Sequence, residues 1–197
     1  MPNKLALHNL TLWQQTAFAA ALIERMIPNY AMFSQAADFG DVKILRNQLD
    51  LVWQRLAQGK VKINFAAQLE KLEEIIPDVE DFDFFGVHPA LDACMALGSL
   101  LQGIQDKDEE TIGNVSILSE SSVSYYLSIL IASEHESQDD IVINQQQIDE
   151  HPLMQWEMEM QQEMFDILSK AKESQETCQR LKALANEEGL SNLGIEY

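Results

Sequence analysis

The chain has 197 residues, is 46% hydrophobic and carries only 8 glycines and 5 prolines, which excludes a disordered chain and supplies enough apolar mass for one folded domain with a sizeable core. Its 32 acidic residues against 13 basic ones leave a net charge of −19, a field that repels nucleic acid, anionic lipid and phosphorylated metabolites and so argues against direct nucleic-acid or membrane binding. The charge is regional: from Asp108 to Asp166 there are fourteen acids and no lysine or arginine, so most of the net charge sits in one stretch.

No run reaches the eighteen or so apolar residues of a membrane span, and Met1 to Leu12 lacks a signal-peptide core, so a soluble cytoplasmic protein is expected. Cys94 and Cys178 are far apart and belong to no Cys-x-x-Cys pair, which predicts buried reduced thiols rather than a disulfide or zinc site.

Helical spacing dominates from the start. Two helices are predicted over Thr11 to Ile27 and Asn29 to Ala37, separated by Pro28. Val42, Leu45, Leu49, Val52 and Leu56 recur at steps of three and four, with Asp41 as N-cap and Gly59 as stop. Phe65, Leu69, Leu72 and Ile76 repeat the pattern between Asn64, a capping residue, and Pro77. Another helix begins at His88 and Pro89 and runs through Leu91, Cys94, Leu97, Leu101 and Ile104. From Asp108 to Ser133 the β-branched and aromatic residues suit strands, but the three-four rhythm and the lack of a hairpin turn favour a helix. Glu134 to His151 is a polar connector with one short helix expected after Ser137, where Asp140 stands at capping-box distance. After Pro152 a single long helix is expected, its stripe running through Leu153, Trp156, Met160, Met164, Ile167, Ala171, Cys178, Leu181 and Ala185 to a stop at Gly189. The expectation is one all-α domain over residues 1–197, a bundle of about seven or eight helices with one long C-terminal helix.

Three constellations carry candidate chemistry. In the connection Pro77 to Pro89, Asp81 and Asp83 alternate with Phe82, Phe84 and Phe85, and carboxylate oxygens of this kind suit calcium or magnesium. His88 and Asp92, four apart on one helical face, would add a nitrogen and an oxygen ligand. The competing reading is structural: the phenylalanines pin the loop, Asp83 bonds backbone amides and His88 caps its helix. At the Pro28 break, Glu24, Arg25 and Tyr30 either line a pocket with Asp41 and Asp50 or satisfy one another. Met154, Met158, Met160 and Met164 form either an adaptable binding surface or core, with Met160 and Met164 on the apolar stripe and the other two flanking it.

Standard catalytic signatures are missing. None of His8, His88, His135 and His151 follows a glutamate at the di-iron spacing, and no Gly-x-Ser-x-Gly elbow or Walker loop occurs. No cofactor is therefore expected. The acidic stretch reads either as a mimic of a phosphate backbone or as a solvated face.

The phrases Glu24-Arg25-Met26, Pro28-Asn29-Tyr30-Ala31-Met32-Phe33, Phe39-Gly40-Asp41, Leu49-Asp50-Leu51, Asp81-Phe82-Asp83 and Pro89-Ala90-Leu91-Asp92-Ala93-Cys94 resemble those of the YjaG-like family of bacterial proteins, a domain of unknown function. The likeness runs to Ser191-Asn192-Leu193-Gly194. It implies a bacterial, cytoplasmic, all-helical protein and brings no catalytic residues with it. One departure is His88, where the family pattern has a tyrosine, which weakens a metal role for that residue. Together these readings lead to a non-enzymatic interaction protein whose acidic half engages a basic protein partner. The alternative is a divalent-metal-dependent enzyme or small-molecule binder using Asp81, Asp83 and Asp92.

Overall fold

The computed structural model describes residues 5–134 and 144–197, and within them every regular element is helical apart from one isolated bridge between Leu190 and Glu196. Helix α1 (Leu12–Ala37) is the axis: every residue from Gln15 to Tyr30 is buried, so this helix is enclosed on all sides rather than amphipathic. Around it pack α2 (Val42–Gln58), α4 (Val87–Asp106), α5 (Glu109–Glu134), α7 (Pro152–Lys170) and α8 (Gln175–Asn186), while α3 (Phe65–Glu73) leans on α4 and the short α6 (Gln145–Asp149) on α5 and α7.

Local chemistry accounts for most of the ends. Thr11 and Gln14 form a reciprocal capping box at the start of α1, Asp41 accepts the Lys43 amide at 2.9 Å to open α2, and Gly59 closes α2 in the left-handed region. Asn64 caps α3, and α6 opens on a capping box of Asn144 and Gln147. The helix expected after Ser137 lies outside the described residues. The core has one large cluster centred on α1 and α4, and a second formed by Val123, Leu127, Ile131, Ile148, Met154 and Leu193.

The α-helical bundle is as expected, with two boundaries corrected. Pro28 does not divide the first helix; it lies inside α1. Proline removes one amide donor and crowds the preceding turn, and the tail braces that turn: the Arg25 carbonyl accepts the Asn192 amide of the C-terminal tail at 3.0 Å. The C-terminal stripe comes from two helices rather than a single long one. Ala171 is extended, Ser174 accepts the Thr177 amide at 3.2 Å as a new N-cap, and the Thr177 hydroxyl donates to the Lys172 carbonyl at 2.7 Å. Gln14 of α1 holds the break by donating to the Leu168 carbonyl at 2.7 Å, and α8 turns to pack on α1 and α2.

Within α5, residues Glu109–Ser133 are long and apolar enough, by length and composition, to cross a membrane, with a mean hydropathy of 1.3. This amends the expectation that no segment reaches that threshold. In the fold the helix is a bundle member packed against α4, α1 and α7.

Candidate functional site

Two consecutive charged residues of the buried α1, Glu24 and Arg25, face opposite neighbours. Glu24 takes both terminal nitrogens of Arg46 at 2.5 and 2.8 Å and the Trp53 indole at 2.7 Å, with Lys182 of α8 at 3.6 Å. Arg46 and Lys182 also reach Asp50, at 3.0 and 3.5 Å. Arg25 pairs with Glu157 of α7 in a fully buried ion pair and lies 4.3 Å from the centre of the Trp156 ring. Glu157 is held in turn by the Ser119 hydroxyl at 2.7 Å and the Gln161 amide at 2.8 Å.

That network extends in both directions. Ser116 donates to Gln161 at 2.6 Å, and Asn192 of the tail bonds the Ser119 hydroxyl at 3.2 Å while accepting from Asn29 at 2.8 Å. Breaking such a buried pair by truncating one partner costs about 3–5 kcal/mol, because the survivor keeps an uncompensated charge. The polar groups at the Pro28 position thus bond mainly to one another, with Arg25 Nη2 and Asn29 Oδ1 left without a hydrogen-bond partner, and clamp α2, α7, α8 and the tail onto α1.

Glu157 and Gln161 were invisible as core residues. The buried face of α7 is Met154, Glu157, Gln161, Met164 and Leu168, rotated by one residue from the apolar stripe at Leu153, Trp156, Met160 and Ile167. Met154 is therefore core, and Glu157, one of the fourteen acids of the acidic stretch, contributes nothing to the outer surface. The only sequence signal was its partner: a buried Arg25 requires an acid somewhere.

Tyr30 and Asp41 sit away from Glu24. The Tyr30 hydroxyl donates to the Ile75 carbonyl at 2.9 Å, and burial lifts its pKa well above the ordinary range, with Cys94 and Asp41 adding to the effect. Gly40, at φ +69°, leaves room for that hydroxyl; a Cβ there would stand 2.0 Å from it. Asp41 is exposed and caps α2.

The acidic aromatic loop is divided as well. Phe82 meets Phe33 of α1 edge to face and Phe84 stacks on it, with ring centres 5.0 and 5.8 Å away, and so they anchor the connection. Asp78, rather than Asp83, accepts a backbone amide, from Glu80 at 2.9 Å. Asp81 and Asp83 are exposed. His88 lies inside α4 behind Gly86, so it does not cap the helix; its Nε2 is 3.3 Å from the Tyr125 hydroxyl. Asp92 is half-buried against α5, and burial pushes its pKa up to about 6, opposed by the Ser122 hydroxyl even without a well-formed hydrogen bond. Among the described residues no three His, Cys, Asp or Glu side chains converge as a metal group. Both cysteines are buried free thiols, with burial raising Cys94 to about 12 and Cys178 to about 11.

A different arrangement comes from the acidic half. Two cavities share Glu120 and Met158 as their common border: one of about 610 Å³ between the N-terminal segment at Leu5, Leu7 and His8, α5 and α7, and one of about 660 Å³ among α5, α6 and α7. Glu109 and Glu110 line the first, Asp149 and Glu150 the second, and among the described residues no lysine or arginine lines either. Ile117, half exposed, and Met158 supply apolar surface between the carboxylates. The ion pairs found among the described residues all gather around Glu24, Asp50 and Glu157, and none uses a carboxylate that lines these cavities.

Residues 2–196 match the family model described as protein of unknown function (DUF416). The chain belongs to the DUF416 family. It is 39% identical to the uncharacterized protein YjaG of Escherichia coli strain K12, over all of this chain and 97% of that one. An uncharacterized protein of Haemophilus influenzae is 40% identical, again across all of this chain and 97% of its own length. A crystal structure of a DUF416 family protein from Shewanella baltica OS155 superposes with a TM-score of 0.88 at 36% identity, covering 99% of this chain and 100% of that one. The DUF416 relationship bears out both the family resemblance and the all-helical fold.

Proposed function

We propose that this protein is a non-enzymatic interaction protein of the bacterial cytoplasm whose acidic half binds a basic partner protein. The observation that carries this reading is the pair of adjoining cavities along α5 and α7, where carboxylates flank exposed apolar side chains and no lysine or arginine lines the walls among the described residues. Such a surface offers a basic segment both charge complementarity and a place for its apolar residues. Among the described residues the Asp149 and Glu150 carboxylates there accept from neutral glutamine amides, Gln145 at 2.8 Å and Gln146 at 2.7 Å, so a cationic donor would improve on both.

The test is capture from bacterial lysate with the tagged protein beside its triple variant Glu109→Lys, Glu110→Lys and Glu150→Lys, at about 50 and about 300 mM salt. A basic protein held by the unaltered bait at low salt, and lost both at higher salt and by the variant, is the expected result. The same retained set on both baits, or none on either, would overturn the proposal.

The reading of a metal-dependent enzyme or small-molecule binder at Asp81, Asp83 and Asp92 has one favourable observation, the half-buried Asp92 with no cationic partner among the described residues. A divalent ion raising Tm at constant ionic strength, and failing to do so after Asp92→Asn, would shift the balance toward it.

A further inference from the structure

The cavity of about 610 Å³ between the N-terminal segment, α5 and α7 falls within the roughly 300–1,000 Å³ of small-molecule sites. Its carboxylates are spread along it. Glu110 and Glu120 lie on one face of α5 with Gly113 and Ile117 between them, at the three- and four-residue steps that align side chains, and the helical rise separates the two acids by about 15 Å. The stretch between them is open and apolar: a Cβ on Gly113 would meet only Leu7 Cδ1, at 4.0 Å, and Ile117 is half exposed.

Carboxylates alone would make a solvated face, but a buried amide lines the same cavity. Gln15 of α1 is only 2% exposed. Its Nε2 donates to the Leu10 carbonyl at 3.0 Å, and because a carbonyl can only accept, the amide is fixed with its nitrogen there and Oε1 at the other end. No group of the described residues donates to Oε1, yet, unlike Arg25 Nη2 and Asn29 Oδ1, this atom is not sealed inside the protein. The little surface that Gln15 keeps therefore includes an acceptor without a partner, on the wall of a cavity bordered by acids. Native structures rarely hold such a group without a use.

We propose that this cavity binds a linear polyamine, with end ammonium groups at Glu109 and Glu110 and at Glu120, methylenes along Leu7 and Ile117, and one nitrogen donating to Gln15 Oε1. Hydrogen bonds from an ammonium are charge-assisted, and among the described residues no lysine or arginine of the lining competes for these acceptors. A monoamine reaches only one end of the run of acids, and a compact cation leaves the apolar stretch uncovered. The inference shares its carboxylates with the partner-binding reading but needs no protein partner.

Calorimetric titration of the full-length protein at about 100 mM salt compares spermidine with hexaamminecobalt(III), a compact cation of equal charge, and with butylamine. Saturable binding of one spermidine per chain, at least about fivefold tighter than either comparison cation, is expected. Gly113→Phe fills the middle of the cavity without altering a charge and should abolish that binding. Gln15→Met keeps the length of the side chain, deletes the acceptor, and should weaken spermidine severalfold while leaving hexaamminecobalt(III) unchanged; circular dichroism checks that each variant is folded. Equal affinity for spermidine and hexaamminecobalt(III), no saturable heat with spermidine, or unaltered spermidine binding in either folded variant would each overturn the proposal. Because the protein is titrated alone, these outcomes are distinct from a failure of the partner-binding reading, which the lysate capture decides.

Discussion

Glu24 and Arg25 show how far residue chemistry departs from residue type: both stand in the interior of the bundle, where ionised groups persist only when paired and hydrogen-bonded. Asp92 is the contrasting case, because its surroundings supply a hydroxyl and no cation. Its pKa rises from the ordinary 3.8 to about 6 in the folded chain. Between those values the folded protein keeps a proton that the unfolded chain releases, so stability falls as pH rises from about 4 to about 6, and the full penalty stands above that window. Asp92→Asn should remove the penalty. After discounting for partial exposure, the gain expected at pH 7.5 is about 1 kcal/mol, roughly 2–4 °C in Tm, shrinking toward zero at pH 4. Thermal melts across that pH range check it, and an equal gain at both ends would show that the carboxylate does not titrate as described.

Among the helices, starts and stops were mostly written locally. Asp41, Asn64, Gly59 and Pro152 mark ends that the structure reproduces, because caps act within a turn of the chain. The exceptions are long-range. Pro28 reads as a breaker until the tail amide of Asn192 and the walls around α1 hold the helix through it. The α7–α8 break is fixed partly by Gln14, more than 150 residues away.

The α4–α5 corner yields a test of packing against propensity. Alanine outranks glycine in a helix by about 1 kcal/mol. At Gly103, however, a Cβ would lie 2.5 Å from Ile112 Cγ1 and 3.1 Å from the Asp108 carbonyl, so α5 must shift. Overpacking of about 1–3 kcal/mol should win, and Gly103→Ala is expected to destabilise by roughly 1–2 kcal/mol. Gly98→Ala meets only Leu72 at an ordinary 3.5 Å and should stabilise by about 0.5–1 kcal/mol. Urea titrations of the two variants should move the midpoints in opposite directions; a shared direction would mean that one term had been misjudged.

At the scale of the molecule, the net charge of −19 sets a self-repulsion that the buried pairs do not relieve. Raising sodium chloride from about 20 to about 300 mM shortens the screening length from roughly 20 Å to below 8 Å and should raise Tm by a few degrees. A fall in Tm would mean that attractive surface pairs outweigh the repulsion. The groove on α5, α6 and α7 is part of this field, and its legibility was uneven. Glu109, Glu110, Asp149 and Glu150 were visible as a run without bases, but their placement on two adjoining cavities depended on how α6 and α7 pack against α5. Asp81, Asp83, His88 and Asp92 are close in sequence yet do not converge, because the Phe82 and Phe84 anchors hold the loop against α1 and leave the two loop carboxylates facing solvent.

By itself the sequence determined the helical class, most helix ends and the regional acidity, since periodicity, caps and charge are properties of neighbouring residues. Only the tertiary structure decided which charges are buried, that α1 passes unbroken through Pro28, and that Glu157 belongs to the core while Asn29 borders a cavity. Those outcomes depend on partners far apart in the chain, Asn192 for Arg25 and Asn29, Gln14 for the α7 terminus, and no local pattern records which distant group will satisfy a buried polar atom.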